Sequence, residues 1–124
     1  MAISATIPAI QSWYVNSAVL QYSTGTGSLD LVAGSTNGRR VYTITCYSNG
    51  FGPGNTNKLI IDLYDGTDTA VLYVTDLVNT KYTQQLSVTF SEMVLPSSAT
   101  IRARVEQAVN SGSELQFTIR AGDY

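Results

Sequence analysis

The segment with the most metal-like chemistry is Asp62-Leu63-Tyr64-Asp65-Gly66-Thr67-Asp68, in which a carboxylate recurs at every third residue. Carboxylate oxygens are ligands that calcium accepts. The segment lacks the Asp-x-Asp-x-Asp-Gly order and the distal Glu of a helix–loop–helix calcium site. An Asp-Gly pair between two apolar runs is typical of a hairpin turn. We therefore predict a turn here, with no metal and no cofactor.

Other residue types that support catalysis are scarce. The sequence has no histidine, which removes the commonest general base and metal ligand. Cys46 is the single cysteine, so no intrachain disulfide can form. Because the chain has no histidine, none is present to activate the Cys46 thiol. The 9 acidic residues show no spacing that singles out a glycosidase-like pair. The glycine-rich segment 50–54 leads into a strand rather than the helix that a phosphate loop needs. These observations predict that the chain is not an enzyme.

The elements that must position any site are indicated by alternation of apolar and polar residues. Clear alternation covers 41–47, 58–64, 85–91, 101–105 and 114–120, and weaker alternation covers 18–22, 28–32 and 70–74. The expected inward sets are Tyr42, Ile44 and Cys46; Leu59, Ile61 and Leu63; Leu86, Val88 and Phe90; Ile101, Ala103 and Val105; and Leu115, Phe117 and Ile119. Such alternation predicts half-buried antiparallel strands, and no segment keeps a helical period.

About eight short strands predict an all-β fold, an antiparallel two-sheet sandwich. A jelly roll is favoured because eight strands in two sheets is its count. An immunoglobulin-like sandwich is the alternative, but it usually carries a Trp on a central strand, whereas Trp13 lies near the N-terminus.

Residues 1–16 lack the alternation and carry two large aromatics, Trp13 and Tyr14, just before the first expected strand. Both side chains could pack on the chain's own sandwich. Alternatively, residues 1–16 form an extended arm ahead of a β-sandwich domain over 17–124, and Trp13 anchors the arm on a neighbouring subunit. We predict the second arrangement, with the arm over 1–16 and the domain over 17–124.

Aromatic residues expected on the outside are the candidates for partner binding. They are Trp13, Tyr14, Tyr47, Phe51 and Tyr64, and Tyr73 is also expected to face outward. Exposed tyrosines stack on sugars or form protein interfaces, although tyrosine is also a strong strand former.

The charge balance limits the classes of partner. Charged residues make up 13% of the chain, against about 25% in an average domain. The net charge of −2 and the absence of a basic patch argue against nucleic-acid binding. No apolar run reaches the length of a membrane span, and the N-terminus lacks signal-peptide features, so we expect synthesis in a cytoplasm.

Several short motifs from Arg40 to the C-terminus point to one group of proteins. They are Leu59-Ile60-Ile61-Asp62-Leu63-Tyr64-Asp65-Gly66-Thr67, Val71-Leu72-Tyr73-Val74, Val94-Leu95-Pro96, Thr100-Ile101-Arg102-Ala103 and the terminal Phe117-Thr118-Ile119-Arg120-Ala121-Gly122-Asp123-Tyr124. Their order resembles small β-sandwich proteins encoded among the structural genes of tailed bacteriophages. The resemblance covers about the last two-thirds of the chain, and the first 39 residues match less clearly.

The resemblance implies a viral structural protein, a decoration or cement protein on the capsid exterior. Its expected partners are the major capsid protein and other copies of itself, a trimer being one option, with no nucleic acid and no membrane. It would be made in the host cytoplasm and assembled into the virion. No residue role carries over from the group. The alternative is a receptor- or glycan-binding module of a phage tail or fibre.

Overall fold

The computed structural model describes residues 10–49, 57–77 and 81–124, without the side chains of 48, 49, 81–86 and 90–92. Within these residues the chain forms eight strands: β1 (Ser12–Gln21), β2 (Leu29–Ala33), β3 (Arg39–Asn49), β4 (Asn57–Tyr64), β5 (Thr69–Leu77), β6 (Lys81–Leu95), β7 (Thr100–Val105) and β8 (Glu114–Asp123). A single 3₁₀ turn (Tyr22–Thr24) follows β1. The all-β prediction is confirmed.

The strands form two four-stranded antiparallel sheets. The first sheet has the order β1-β8-β3-β6 and the second has the order β2-β7-β4-β5. Pairing of β1 with β8, β2 with β7, β3 with β6 and β4 with β5 makes one long ribbon folded back on itself. Rolling the ribbon adds the pairs β3–β8 and β4–β7. This is the jelly-roll order, which confirms the favoured topology over the immunoglobulin-like alternative.

The core lies between the sheets and follows the predicted alternation in most strands. In β7, Ile101, Ala103 and Val105 are buried while Arg102 and Arg104 face outward. The inward sets of β4 and β8 are also confirmed, with Leu63 only partly buried. In β6, Val88 packs against the core, and the side chains of Leu86 and Phe90 lie outside the described residues.

The first half of β3 departs from the prediction. Tyr42 was expected inside and Val41 outside, but Val41 is fully buried and Tyr42 lies on the outer face. The pairing with β8 shifts between Val41 and Thr43, so Tyr42 is an extra residue in the strand. A bulge of this kind reverses the alternation upstream of itself, and it is what brings Tyr42 to the surface.

A second bulge overturns the expected direction of Tyr73. The pairing of β5 with β4 shifts between Ile61 and Asp62, so that Ile61 pairs with Tyr73 and Asp62 with Val71. Because residues that pair directly share one face of a sheet, Tyr73 follows the buried Ile61 and packs against the core.

The sandwich begins earlier than the predicted boundary at residue 17. Residues 12–16 already belong to β1, in which Ser12 pairs with Asp123 and Asn16 with Ile119. Residues 1–9 lie outside the described residues, so a partner-binding arm there stays a prediction.

One glycine is required where two connections meet. A Cβ added at Gly34, between β2 and β3, would lie 1.8 Å from the carbonyl oxygen of Pro96. The Gly34 N–H donates to the carbonyl of Ala99 at 2.8 Å. The β2–β3 connection therefore packs backbone to backbone on the β6–β7 connection.

Candidate partner-binding surface

The outer face of the first sheet carries exposed apolar side chains on β1. Trp13 is 73% exposed and Val15 is 71% exposed, and both lie on β1 with the less exposed Val19. They occupy alternate positions, because the intervening Tyr14 and Ala18 face the core. Apolar residues exposed along one strand face are typical of a protein-interaction surface.

The bulge in β3 supplies a second aromatic ring to this face. The ring centroids of Trp13 and Tyr42 are 5.7 Å apart, with an interplanar angle of 40°. The guanidinium of Arg40 lies 5.4 Å from the centroid of the Tyr42 ring. Offset rings at this distance attract each other, and a cation over a ring adds to that attraction, so the pair is held in place.

A groove of about 470 Å³ runs beside the two rings. One row across the sheet forms part of its lining: Val15 of β1 pairs with Arg120 of β8, which pairs with Thr43 of β3, which pairs with Thr89 of β6. The described residues that line it are Trp13, Tyr14, Val15, Tyr42, Thr43, Thr89, Arg120 and Ala121, which we call the aromatic groove. It offers apolar walls, threonine hydroxyls and one guanidinium, which suits a mainly apolar partner segment.

An ion pair between Arg39 and Asp123 lies next to Tyr14, at one end of the aromatic groove. Arg39 Nε and Nη2 donate to the two carboxylate oxygens of Asp123 at 2.6 and 3.0 Å, and Nη1 donates to the carbonyl of Ala33 at 2.9 Å. The same guanidinium lies 3.8 Å from the centroid of the Tyr14 ring. The hydrogen bond with Arg39 lowers the pKa of Asp123, and the bond with Asp123 raises the pKa of Arg39.

The predicted site residues do not form one cluster. Trp13 and Tyr14 both line the aromatic groove. Trp13 is exposed, whereas the ring of Tyr14 faces inward and is covered by the guanidinium of Arg39. Tyr47 lies on the same outer face, where it pairs with Gln116. Tyr64 lies on the second sheet, and its hydroxyl donates to the carbonyl of Gly66 at 2.9 Å. Phe51 lies outside the described residues.

Six residues of the groove were not among the predicted site residues: Val15, Tyr42, Thr43, Thr89, Arg120 and Ala121. Tyr42 was assigned to the core, because a bulge cannot be recognised from alternation alone. Arg120 was not singled out as a site residue, because only sheet pairing sets it between Val15 and Thr43.

The acidic segment of β4 and the following turn is structural. Asp65 Oδ1 accepts hydrogen bonds from the backbone N–H groups of Thr67 and Asp68 at 2.8 and 2.7 Å, which lowers the pKa of Asp65. Asp62 is buried and accepts a hydrogen bond from Arg104 Nε at 2.7 Å. The hairpin-turn prediction is confirmed. Across the described ranges, no three or more His, Cys, Asp or Glu side chains form a group suited to a metal ion.

The thiol of Cys46 is buried in the core, and burial raises its pKa to about 12. A thiolate is the reactive form of cysteine, so this group stays protonated and unreactive at neutral pH.

A second, polar cleft of about 720 Å³ lies where β4 begins. Asn57 is buried there, and its side-chain amide both donates to the carbonyl of Gln107 and accepts from the Gln107 N–H. Lys58 forms an ion pair of 2.6 Å with Asp76. The polar groups of Asn57 and Lys58 therefore already have partners in the cleft, which makes it a weaker candidate than the aromatic groove. In the part of the chain that the structure describes, no helix has the length and apolar character to cross a membrane.

Comparisons with known proteins place the fold. No protein-family model matches the sequence, and no curated protein matches it in sequence. A chain of the acidic stable capsid structure of Helicobacter pylori bacteriophage KHP30 is similar, with a TM-score of 0.66 and 15% identity over 92% of this chain and 90% of that chain. At this identity the likeness shows a shared fold. The chain therefore shares its β-sandwich with a chain of a bacteriophage capsid structure.

Two further likenesses are weaker. The Clostridium thermocellum xylanase Xyn10B, as its CBM22-1–GH10 modules with xylohexaose, has a TM-score of 0.45 and 12% identity over 91% of this chain and 26% of that chain. The Yersinia pseudotuberculosis-derived mitogen has a TM-score of 0.40 and 13% identity over 90% of this chain and 86% of that chain. Neither is close enough in structure to bear on function.

Proposed function

We propose that this chain is a viral structural protein, a bacteriophage capsid decoration protein that binds the outer capsid surface and stabilises the shell. The observation that carries the proposal is the fold likeness to a chain of a phage capsid structure, which spans most of both chains. The order of short motifs from Arg40 onward, which resembles that of phage structural proteins, led to the same expectation from the sequence. The chain would act in the virion, on the capsid exterior, after synthesis in the host cytoplasm.

The proposed contact with the major capsid protein is the aromatic groove. Trp and Tyr are enriched among the residues that dominate binding energy at protein interfaces, and Trp13 and Tyr42 are held together at the surface. The low charge of the chain, 13% of residues, suits a surface that packs against neighbours without desolvating unpaired ions.

The proposed mechanism is bridging rather than catalysis. A decoration protein that contacts two or more capsid subunits adds binding free energy to every lattice contact that it spans. Rupture of the shell then requires those added contacts to break as well. Self-association on the capsid, with a trimer as one option, would increase the number of subunits held together. Within the described residues, the Cys46 thiol is buried and Asp65 accepts backbone hydrogen bonds. Asp62 and Asp123 each form an ion pair with an arginine.

The test is binding of the purified chain to capsids that lack it, measured by co-sedimentation. We expect Trp13→Ala and Tyr42→Ala each to weaken capsid binding by about thirtyfold or more, since aromatic hot-spot residues contribute about 2 kcal/mol or more and each 1.4 kcal/mol is about tenfold. The matched control is Tyr22→Ala, because Tyr22 is an aromatic residue that is 61% exposed and lies outside the groove. Equal affinities for the groove variants and the wild type would reject the groove as the contact, and no binding by the wild type would reject the decoration role.

A glycan-binding tail or fibre module is the second candidate, because exposed aromatic rings beside a groove also suit a sugar ring. Immunogold labelling of virions separates the two candidates. Label over the head supports a decoration protein. Label confined to the tail, together with saturable binding on a glycan array that Trp13→Ala abolishes, would favour the module.

A further inference from the structure

The edges of the two sheets differ in how they are protected. The first sheet ends at β1 and β6, and the second ends at β2 and β5. An edge strand exposes a row of unpaired backbone N–H and C=O groups that can pair with another chain. Proteins commonly prevent such pairing by keeping an edge strand short, by placing charged residues on it, or by interrupting it with a bulge.

Three of the four edges carry such protection. β2 has only 5 residues, includes Asp30, and pairs with a register shift. β5 includes Asp76 and its pairing also shifts register. β6 pairs with β3 in a register that is interrupted twice.

β1 lacks every one of these features. Its 10 residues contain no charged residue and no proline, and they pair with β8 in one unbroken register. Its outward side chains include Trp13, Val15 and Val19, all exposed. No other strand among the described residues pairs with its second side. A long, regular, uncharged and partly apolar edge is a template for strand pairing.

We propose that β1 pairs antiparallel with β1 of a second copy of this chain across a two-fold axis. The contact would join two four-stranded sheets into one continuous sheet of eight strands.

The partner strand is β1 of a second copy, because two uncharged β1 strands can lie side by side without charge repulsion. A two-fold axis brings residues of β1 close to the same residues of the other copy, so a charged strand would repel its partner. The uncharged β1 has no such repulsion. A register centred on Asn16 sets Trp13 of one copy beside Val19 of the other, which buries two exposed apolar side chains in one cross-strand pair.

Sedimentation equilibrium of the chain alone tests the contact, and the absence of capsids makes the result independent of the proposed function. We expect a species of twice the chain mass of 13.3 kDa. Ser17→Lys, which puts a cation at the middle of the edge, should raise the dimer Kd at least about tenfold. Thr118→Lys is the matched control, because Thr118 pairs with Ser17 on the same face but lies one strand further in. It should change the Kd by less than about threefold.

Amide hydrogen exchange locates the contact. Every second amide of β1 points away from β8, and those amides should exchange more slowly at high protein concentration and lose that protection in Ser17→Lys. Cooperative thermal unfolding of both variants shows that they fold. A monomer at every concentration, a trimer, or a dimer that Ser17→Lys and Thr118→Lys weaken equally would overturn the proposal. Protection of β1 that appears only with capsids would also overturn it and would assign the edge to the capsid protein.

Discussion

Arg39 and Asp123 join the first residue of β3 to the last residue of β8 through a two-pronged ion pair. Both side chains are largely shielded from water, at 15% and 24% exposure. Charge-assisted hydrogen bonds in such surroundings stabilise a fold more than exposed pairs do. We expect Asp123→Asn to lower the free energy of unfolding by about 1–3 kcal/mol at pH 7, as measured by urea denaturation. Asp30→Asn should cost less than ~1 kcal/mol, because Asp30 is 70% exposed in its pair with Arg102.

The same pair predicts a pH dependence of stability. Arg39 holds the pKa of Asp123 below its ordinary value of 3.8, so the folded state favours the ionised carboxylate. The stabilisation is complete above the ordinary value and is lost as the pH falls from there through the folded-state pKa. The stability difference between the wild type and Asp123→Asn should therefore narrow below pH 3.8. If the stability difference between the wild type and Asp123→Asn stayed constant into strong acid, it would not arise from the ionised carboxylate of Asp123.

At the scale of elements, Asn57 fixes the connection between β7 and β8. The side-chain amide donates to the carbonyl of Gln107 at 2.7 Å, and its oxygen accepts from the Gln107 N–H at 2.9 Å. The connection also buries Val109 completely. The first residue of β4 thus positions a loop about fifty residues away, because a buried amide must satisfy both its donor and its acceptor.

Asn57→Ala should leave both backbone groups of Gln107 without these partners and lower the free energy of unfolding by about 2 kcal/mol. Hydrogen exchange should become faster over 106–110 while β1 and β8 stay protected. Asn110→Ala is the control, because Asn110 is exposed in the same connection. Equal losses of stability for the two variants would show that the amide of Asn57 does not hold the loop.

At the scale of the whole molecule, the rolled ribbon pairs the two ends of the chain. Ser12 pairs with Asp123, and among the described strands only β4 and β5 form a pair through a short turn. Sheets dominated by such distant pairs fold slowly, because loop-closure entropy is lost before the contacts form. We expect stopped-flow refolding, followed by circular dichroism at low protein concentration, in milliseconds to seconds. Refolding in microseconds would contradict a rate limited by distant strand pairing.

Most of the strands, and the inward direction of β4, β7 and β8, could be predicted from the sequence. Alternation is a local property, so the inward sets of β4, β7 and β8 could be read directly from the chain. The count of short strands favoured a jelly roll, and the Asp-Gly pair identified the β4–β5 turn. These predictions needed only the period of a strand and the conformational preferences of turn residues.

The way in which these strands combine into a surface could not be predicted, because it depends on pairing between strands that are distant in sequence. The bulge at Tyr42 depends on a register set by β8, and no residue near Tyr42 in the sequence predicts the bulge. The rings of Trp13 and Tyr42 come together because β1 and β3 both pair with β8. The free edge of β1 exists for the same reason, since the sheet order is a property of the rolled ribbon. A binding surface made of distant strands is fixed by pairing across the fold, which local sequence does not encode.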